Sequence, residues 1–336
     1  MKIGEIELTN PVAVAPMSGV SDLPFRRAAA GAGAGLVVSE MVASAELVRA
    51  RPDVVRRAEG DPAIRPFVIQ LAGADSKWMA EGAALAEAAG AEIIDINMGC
   101  PSRQVTGQAC GSALMRNLDQ ASRLIAATVK ATSKPVTLKM RLGWDRASMN
   151  GPELARRAED LGVRALTVHA RTRNEFFAGR ADWSAVRAIK EAVGIPVVVN
   201  GDIVDAASAR RAFAESGADG IMVGRASLGR PWLAGALANA LAVGADGAEA
   251  PSLQEQAEIA QRHYAEIIAL YGEALGVRVA RKHLAGYIEA APVDIDPSVR
   301  RALRAEICRI FVPERVLEML SAFYASRPRE PFLRAA

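Results

Sequence analysis

The chain has 336 residues, of which 51% are hydrophobic and 24% charged, with Phe, Trp and Tyr making up only 5%. This is the composition of an ordinary globular protein, and the length predicts one large unit with a smaller appendage. No apolar run approaches the ~20 residues of a membrane span, and the N-terminal MKIGEIELTNP has no apolar stretch leading to a cleavage site. A cytoplasmic protein with no membrane partner is expected, and nothing points to a protein partner. Three widely spaced cysteines, Cys100, Cys110 and Cys308, predict neither a disulfide framework nor a zinc site, and no metal is expected. The formal net charge is +3, yet from residue 241 onward 12 Lys/Arg stand against 13 Asp/Glu. Charge alone therefore does not point to nucleic acid.

Eight short apolar runs recur along the first 230 residues: VAVAP (12–16), GLVVSE (35–40), FVIQL (67–71), EIIDIN (92–97), VTLKMR (136–141), ALTVHA (165–170), PVVVNG (196–201) and GIMVGR (220–225). They are continuous rather than alternating, as strands covered on both faces should be. Between them lie Ala-rich helical stretches at 76–90, 117–132 and 204–217, several with a capping residue at the start and Gly at the end. Eight strands alternating with helices predict an α/β fold, a (β/α)8 TIM barrel over residues 1–241. An open doubly wound sheet is the main rival, but no strand opens into a GxGxxG turn. After the small-residue linker AVGADGAEAPS (242–252) the sequence reads as helices only, to about Ala325. A C-terminal helical bundle over 252–336 is expected.

In such barrels the chemistry sits at the C-terminal strand ends. All eight runs end in polar or special residues: Pro16-Met17-Ser18, Glu40, Gln70, Asn97 through Cys100, Lys139 with Arg141, His169 with Arg171, Asn200-Gly201-Asp202, and Gly224-Arg225. The last two loops suit a phosphate, because Gly201 and Gly224 let backbone N–H groups approach an anion and Arg225 adds charge. Lys139 closes an otherwise apolar strand and suits an anionic ring edge, while Gln70 offers both a donor and an acceptor. These residues taken alone fit a flavin enzyme and a phosphosugar enzyme equally. Cys100 lies between Gly99 and Pro101 in a rim loop, whereas Cys308 reads as a packed helical residue. A free thiol is largely protonated at neutral pH and can donate a proton.

These motifs together resemble the tRNA-dihydrouridine synthase family. The correspondence runs through APMSGVSDLPFR (15–26), MGCPS (98–102) with GSALM (111–115), LKMRLGW (138–144), VHART (168–172), NGDI (200–203) and MVGRASLGRPW (222–232). It continues into YGEALGVRVARKHLAGY (271–287), which is similar to the bacterial B-type branch once named for nitrogen regulation. The segment TGQAC before Gly111 departs from the more basic or Gly-rich loop of many members. The resemblance implies FMN bound by Pro16, Met17, Ser18, Gln70, Lys139, His169, Asn200, Gly201, Asp202, Gly224 and Arg225. It implies NADPH as electron donor, hydride delivery from the flavin to uracil carbon 6, and Cys100 as proton donor to carbon 5. Asn97 and Arg171 would lie on the uracil side. The tail would bind tRNA, with Arg278, Arg281 and Lys282 at helical spacing as a basic stripe. A dihydroorotate-type dehydrogenase and a non-catalytic RNA-binding regulator remain as alternatives.

Overall fold

The computed structural model describes residues 1–325; the last eleven residues of the expected tail lie outside them. Eight parallel strands close into a barrel: β1 (Val12–Val14), β2 (Leu36–Ala43), β3 (Val68–Ala72), β4 (Ile93–Met98), β5 (Val136–Arg141), β6 (Ala165–His169), β7 (Val197–Asn200) and β8 (Gly220–Val223). The last pairs with the first, Met222 opposite Ala13. Every expected strand forms in its expected place. The expected helices form as well, as Ser76–Ala88, Leu118–Lys130 and Ala206–Ser216. Each begins at a side-chain cap, from Asp75, Asn117 and Asp205 respectively.

The strands read as continuous apolar runs because both of their faces are buried, but the two faces differ. Outward residues such as Ile94, Ile96, Leu138 and Met140 pack beneath the helices. Inward residues grade along the barrel axis. Ala13, Val68, Ile93, Ala165 and Val198 form an apolar floor, closed from below by Ile3 and Leu8 of an N-terminal hairpin (Lys2–Ile3 with Ile6–Glu7). Above them come Gln70, Asp95, Thr137, Lys139 and Asn200, all buried. Strand register sets these side by side: Gln70 opposite Asp95, Asp95 opposite Thr137, Asn97 opposite Lys139, His169 opposite Asn200.

One strand end departs from expectation. β2 runs on to Ala43, and its register shifts between Val38 and Met41. Glu40 is therefore inside the strand rather than at its end, and its carboxylate accepts the Gly19 N–H. Two short helices follow, Ser44–Val48 and Pro52–Arg57, which the sequence pattern did not single out.

Beyond the barrel the chain is helical, as expected. Helix α1 (Leu23–Gly31) follows β1. After the linker, Ser252 opens α2 (Leu253–Tyr271) with a capping box to Glu255. Helices α3 (Glu273–Ala290), α4 (Pro297–Ile307) and α5 (Pro313–Tyr324) complete the bundle. Tyr264, Ile267, Leu284, Ile288, Leu320 and Phe323 form its own core, into which the barrel contributes Trp232. No helix among the described residues is long and apolar enough to cross a membrane.

Barrel and bundle meet at backbone distance. Gly229 has φ +75°, and a Cβ there would stand 2.1 Å from the Gly286 carbonyl group of α3. A methyl group must push the two apart, so Gly229→Ala is expected to cost roughly 1–3 kcal/mol and to lower Tm by several degrees. Thermal unfolding followed by circular dichroism checks this; an unchanged Tm would mean the interface is slack.

Candidate active site

The C-terminal mouth of the barrel opens into a cavity of about 630 Å³, within the range of small-molecule and cofactor sites. Its wall contains all fourteen barrel residues to which the resemblance gives a cofactor, uracil or proton-donor role: Pro16, Met17, Ser18, Gln70, Asn97, Cys100, Lys139, His169, Arg171, Asn200, Gly201, Asp202, Gly224 and Arg225. Met41 rather than Glu40 represents β2 there.

A hydrogen-bonded chain runs beneath the cavity floor. Thr137 donates to Asp95 Oδ1 at 2.6 Å, and Gln70 Nε2 donates to Asp95 Oδ2 at 2.6 Å. Asn97 Nδ2 donates to Gln70 Oε1 at 2.7 Å. The free oxygen of Asn97 then accepts the backbone N–H groups of Gly99 and Cys100, at 3.2 and 3.0 Å. From the other side Arg141 Nε donates to Gly99 O at 2.9 Å, and both N and Oγ of Ser112 donate to Cys100 O. The backbone of the Cys100 turn is thus held on three sides, and the thiol is left to face the cavity. Asp95 was not among the sequence candidates. Its signal was present, since it sits two residues before Asn97 and so shares that residue's inward face. Burial pushes the Asp95 carboxyl upward, against the hydrogen bonds of Thr137 and Gln70.

Three cations lie buried at the ends of β5 and in the loop after β6: Lys139, Arg141 and Arg171. Burial and the neighbouring Arg141 lower the Lys139 ammonium to about 8. Its Nζ reaches Asn200 Oδ1 at 3.3 Å, and Asn200 is itself fixed by donation to Met222 O. Arg171 donates to Ala178 O and Gly179 O and pairs with Asp202, Nη2 to Oδ2 at 2.5 Å. Every arm of its guanidinium is already engaged. Asp202 adopts φ +53° to reach it, and at adjacent Gly201 a Cβ would lie 3.0 Å from both Ala181 and the His169 ring. Glycine is required there by space as well as by φ +120°. Burial, together with Arg141, Lys139 and Arg171, drives the His169 imidazolium far down, so the ring is neutral and acts as a hydrogen-bonding group. Arg225 is well exposed, 3.6 Å from Asp202 and stacked on Phe177 with its guanidinium 4.7 Å from the ring centroid. Phe177, which no periodicity announced, also borders Arg141 and His169.

A second cleft of about 820 Å³ adjoins the first, sharing Ser18, Met41, Cys100, Pro101 and Phe177 with it. One wall is the insertion after β2, with Arg51, Arg56 and Arg57; the other is helical, with Tyr271, Leu275, Val279 and Lys282. The three tail residues expected to form one basic stripe therefore part company. Lys282 turns inward and donates to Gly19 O. Arg281 stacks on Phe311 at 5.3 Å, and Arg278 is exposed.

The family model described as dihydrouridine synthase matches residues 13–326. The chain belongs to the dihydrouridine synthase family. A "Probable tRNA-dihydrouridine synthase" of Rhodobacter capsulatus is 49% identical, covering 97% of this chain and 98% of its own. "tRNA-dihydrouridine synthase B" of Pseudomonas putida is 45% identical over 87% of this chain and 86% of its own. Its Pseudomonas aeruginosa counterpart is 40% identical over 97% and 96%. Both Pseudomonas proteins carry the B-type name, in agreement with the branch read from the tail. Among solved structures, a histamine dehydrogenase from Rhizobium sp. 4-9 aligns with a TM-score of 0.55 at 16% identity. It covers 73% of this chain and 47% of that longer one, a likeness of barrel fold alone.

Proposed function

We propose that this protein reduces uridines of tRNA to 5,6-dihydrouridine, with FMN held in the barrel mouth and NADPH as electron donor. The observation that carries the reading is the convergence of Cys100 and the buried ammonium of Lys139 on one cavity of cofactor size. Relatives of near full-length match, named for this activity, support it. A tRNA substrate places the reaction in the cytoplasm.

The residues fit a flavin nucleotide. Among the described residues only Ala15 Cβ lies within 4 Å of a Cβ built on Gly224, and neighbouring Arg225, exposed beside Asp202 and Phe177, would turn toward a phosphate. Pro16, Met17 and Ser18 line one side of the mouth, where a ring would rest. Lys139 stands where it would compensate the negative edge of a reduced ring. Bound FMN, once reduced by NADPH, supplies the hydride that uracil carbon 6 receives. Cys100 would donate its Sγ proton to carbon 5, from a turn that Arg141 holds through the Gly99 carbonyl. Asn97 orients the Cys100 turn and Gln70 holds Asn97, so both act on the proton donor through its backbone. Neutral His169 is suited to hydrogen-bond a phosphate or a carbonyl rather than to supply charge. Arg171, saturated by Asp202 and two carbonyls, shapes the loop against which a base would rest. A uridine must leave its stack to enter so deep a mouth. The rest of the tRNA would then follow the second cleft, where Arg51, Arg56, Arg57 and Lys282 meet its backbone, with Arg278 and Arg281 on the outer surface of the bundle.

Dihydrouridine counted by mass spectrometry in tRNA from a strain lacking the gene tests the function. The expected result is loss of the base at one or more positions, restored by the wild-type gene. An unchanged content would remove the activity and favour a free pyrimidine or a regulatory role.

Lys139 gives a pH dependence with a defined sign. Its ammonium titrates near pH 8 in the free protein, and the electron-rich carbonyl edge of a bound oxidised ring would raise that value. FMN affinity should be flat below pH 8 and then fall by up to ~tenfold per unit as the pH rises. Lys139→Met should bind more weakly throughout and lose the pH dependence. Fluorescence titration of FMN between pH 6.5 and 9.5 checks this, and parallel curves for the two proteins would exclude Lys139 from the flavin.

A further inference from the structure

Away from the barrel mouth, at the seam between barrel and bundle, three side chains from three helical segments converge: Asp22 at the N-cap of α1, His263 of α2 and His283 of α3. Each is at least 97% buried, and one ligand atom from each lies within 4.8 Å of the others. Among the described residues, Asp22 Oδ2, His263 Nε2 and both ring nitrogens of His283 have no hydrogen-bond partner. Leaving even one buried polar atom unpaired is costly, and native proteins rarely gather several at a single point.

The remaining atoms of these side chains are fixed as the supports of a metal centre would be. His263 Nδ1 lies 2.9 Å from the Tyr287 hydroxyl. Donation from that nitrogen leaves the Nε2 lone pair facing the cluster, the outer-shell arrangement of metal-bound histidines. Asp22 Oδ1 accepts the Phe25 N–H as the helix cap, while Oδ2 makes no hydrogen bond of normal length, the Tyr271 hydroxyl standing close to the carboxylate. Arg26, the buried cation one turn along α1, donates to Ser21 O and Glu59 O and not to Asp22. The two imidazoles meet edge to face at 4.6 Å, and Phe25 packs against both.

We propose that Asp22, His263 and His283 form a binding site for a divalent transition-metal ion of the zinc class, joining the helical bundle to the barrel. Two imidazole nitrogens and one carboxylate oxygen are a zinc donor set, with a fourth position for water. Zinc at ~2.1 Å from each ligand brings neighbouring donors to ~3.3 Å, which small side-chain rotations achieve from the observed spacing. No sequence spacing announces the cluster, because the three residues are 20 to 261 positions apart and the cysteine count bears only on thiolate sites. Asp22 follows the loop bearing Pro16, Met17 and Ser18, and Lys282, the neighbour of His283, bonds to Gly19 in that loop. The ion would therefore fix the bundle against the loop that closes one side of the active-site mouth. This site stands whether or not the cavity reduces uridine.

The test is metal analysis of the full-length protein, with any histidine tag removed. Plasma mass spectrometry should find about one equivalent of zinc per chain, and stripping it with a chelator should lower Tm by a few degrees, recovered on adding zinc. Cobalt taken up by the stripped protein should give visible d–d absorption without sulfur charge-transfer bands. Asp22→Asn should weaken zinc binding at least tenfold, and His283→Gln should do the same. Should these buried variants fail to fold, the cobalt spectrum of the wild type decides alone. Substoichiometric metal with a Tm indifferent to zinc would overturn the site, as would cobalt bands showing thiolate ligation.

Discussion

Three cations buried under one rim are the constraint around which this protein is arranged. Lys139, Arg141 and Arg171 are withdrawn from water at the ends of adjacent strands, and unpaired buried charge is strongly unfavourable. The fold answers each differently. Arg171 receives Asp202 and two carbonyls, Arg141 receives the carbonyls of Gly99, Thr172 and Phe176, and Lys139 has, among the described residues, only Asn200 within hydrogen-bonding reach. The two arginines consequently shape loops, one around the Cys100 turn and one around the Gly201–Asp202 turn. The lysine is left incompletely compensated beside the cavity, where an anionic ligand would complete it.

The order of the cavity floor follows from strand register. Because inward positions alternate and the barrel closes, Gln70, Asp95 and Thr137 fall next to one another without being near in sequence. Their hydrogen bonds form a continuous line to the backbone of Cys100. A change deep in the barrel, such as loss of Asp95, would reach the thiol through Gln70 and Asn97. The same barrel surface carries the bundle: Gly229 against Gly286 and Lys282 against Gly19 place α3 beside the loop that follows β1.

Much of this was legible in the sequence, for identifiable reasons. β-Branched runs covered on both faces announced all eight strands, and the small-residue linker 242–252 announced where the bundle begins. Polar residues ending apolar runs marked Asn97, Lys139, His169 and Asn200, since packing does not explain them. What stayed hidden depends on contacts between distant loops. Asp202 reaches Arg171 only by adopting a left-handed backbone conformation, and Phe177 arrives from an irregular loop. Glu40 was misplaced because a strand irregularity two residues long has no sequence signature. Arg278, Arg281 and Lys282 share one helix, α3, but the partners of each side chain come from elsewhere in the fold. Gly19 takes Lys282 inward and Phe311 takes Arg281.

The central claim is that Cys100 and a flavin above Lys139 act on the same base. Anaerobic stopped-flow spectroscopy of the prereduced, FMN-loaded protein mixed with unmodified tRNA tests it most directly. Wild-type flavin should be reoxidised by the tRNA. Cys100→Ala, with equal flavin content and equal reduction by NADPH, should be reoxidised ~10²–10⁴-fold more slowly. Reoxidation of the variant at the wild-type rate would contradict the assignment of Cys100 as proton donor and with it the account of the site.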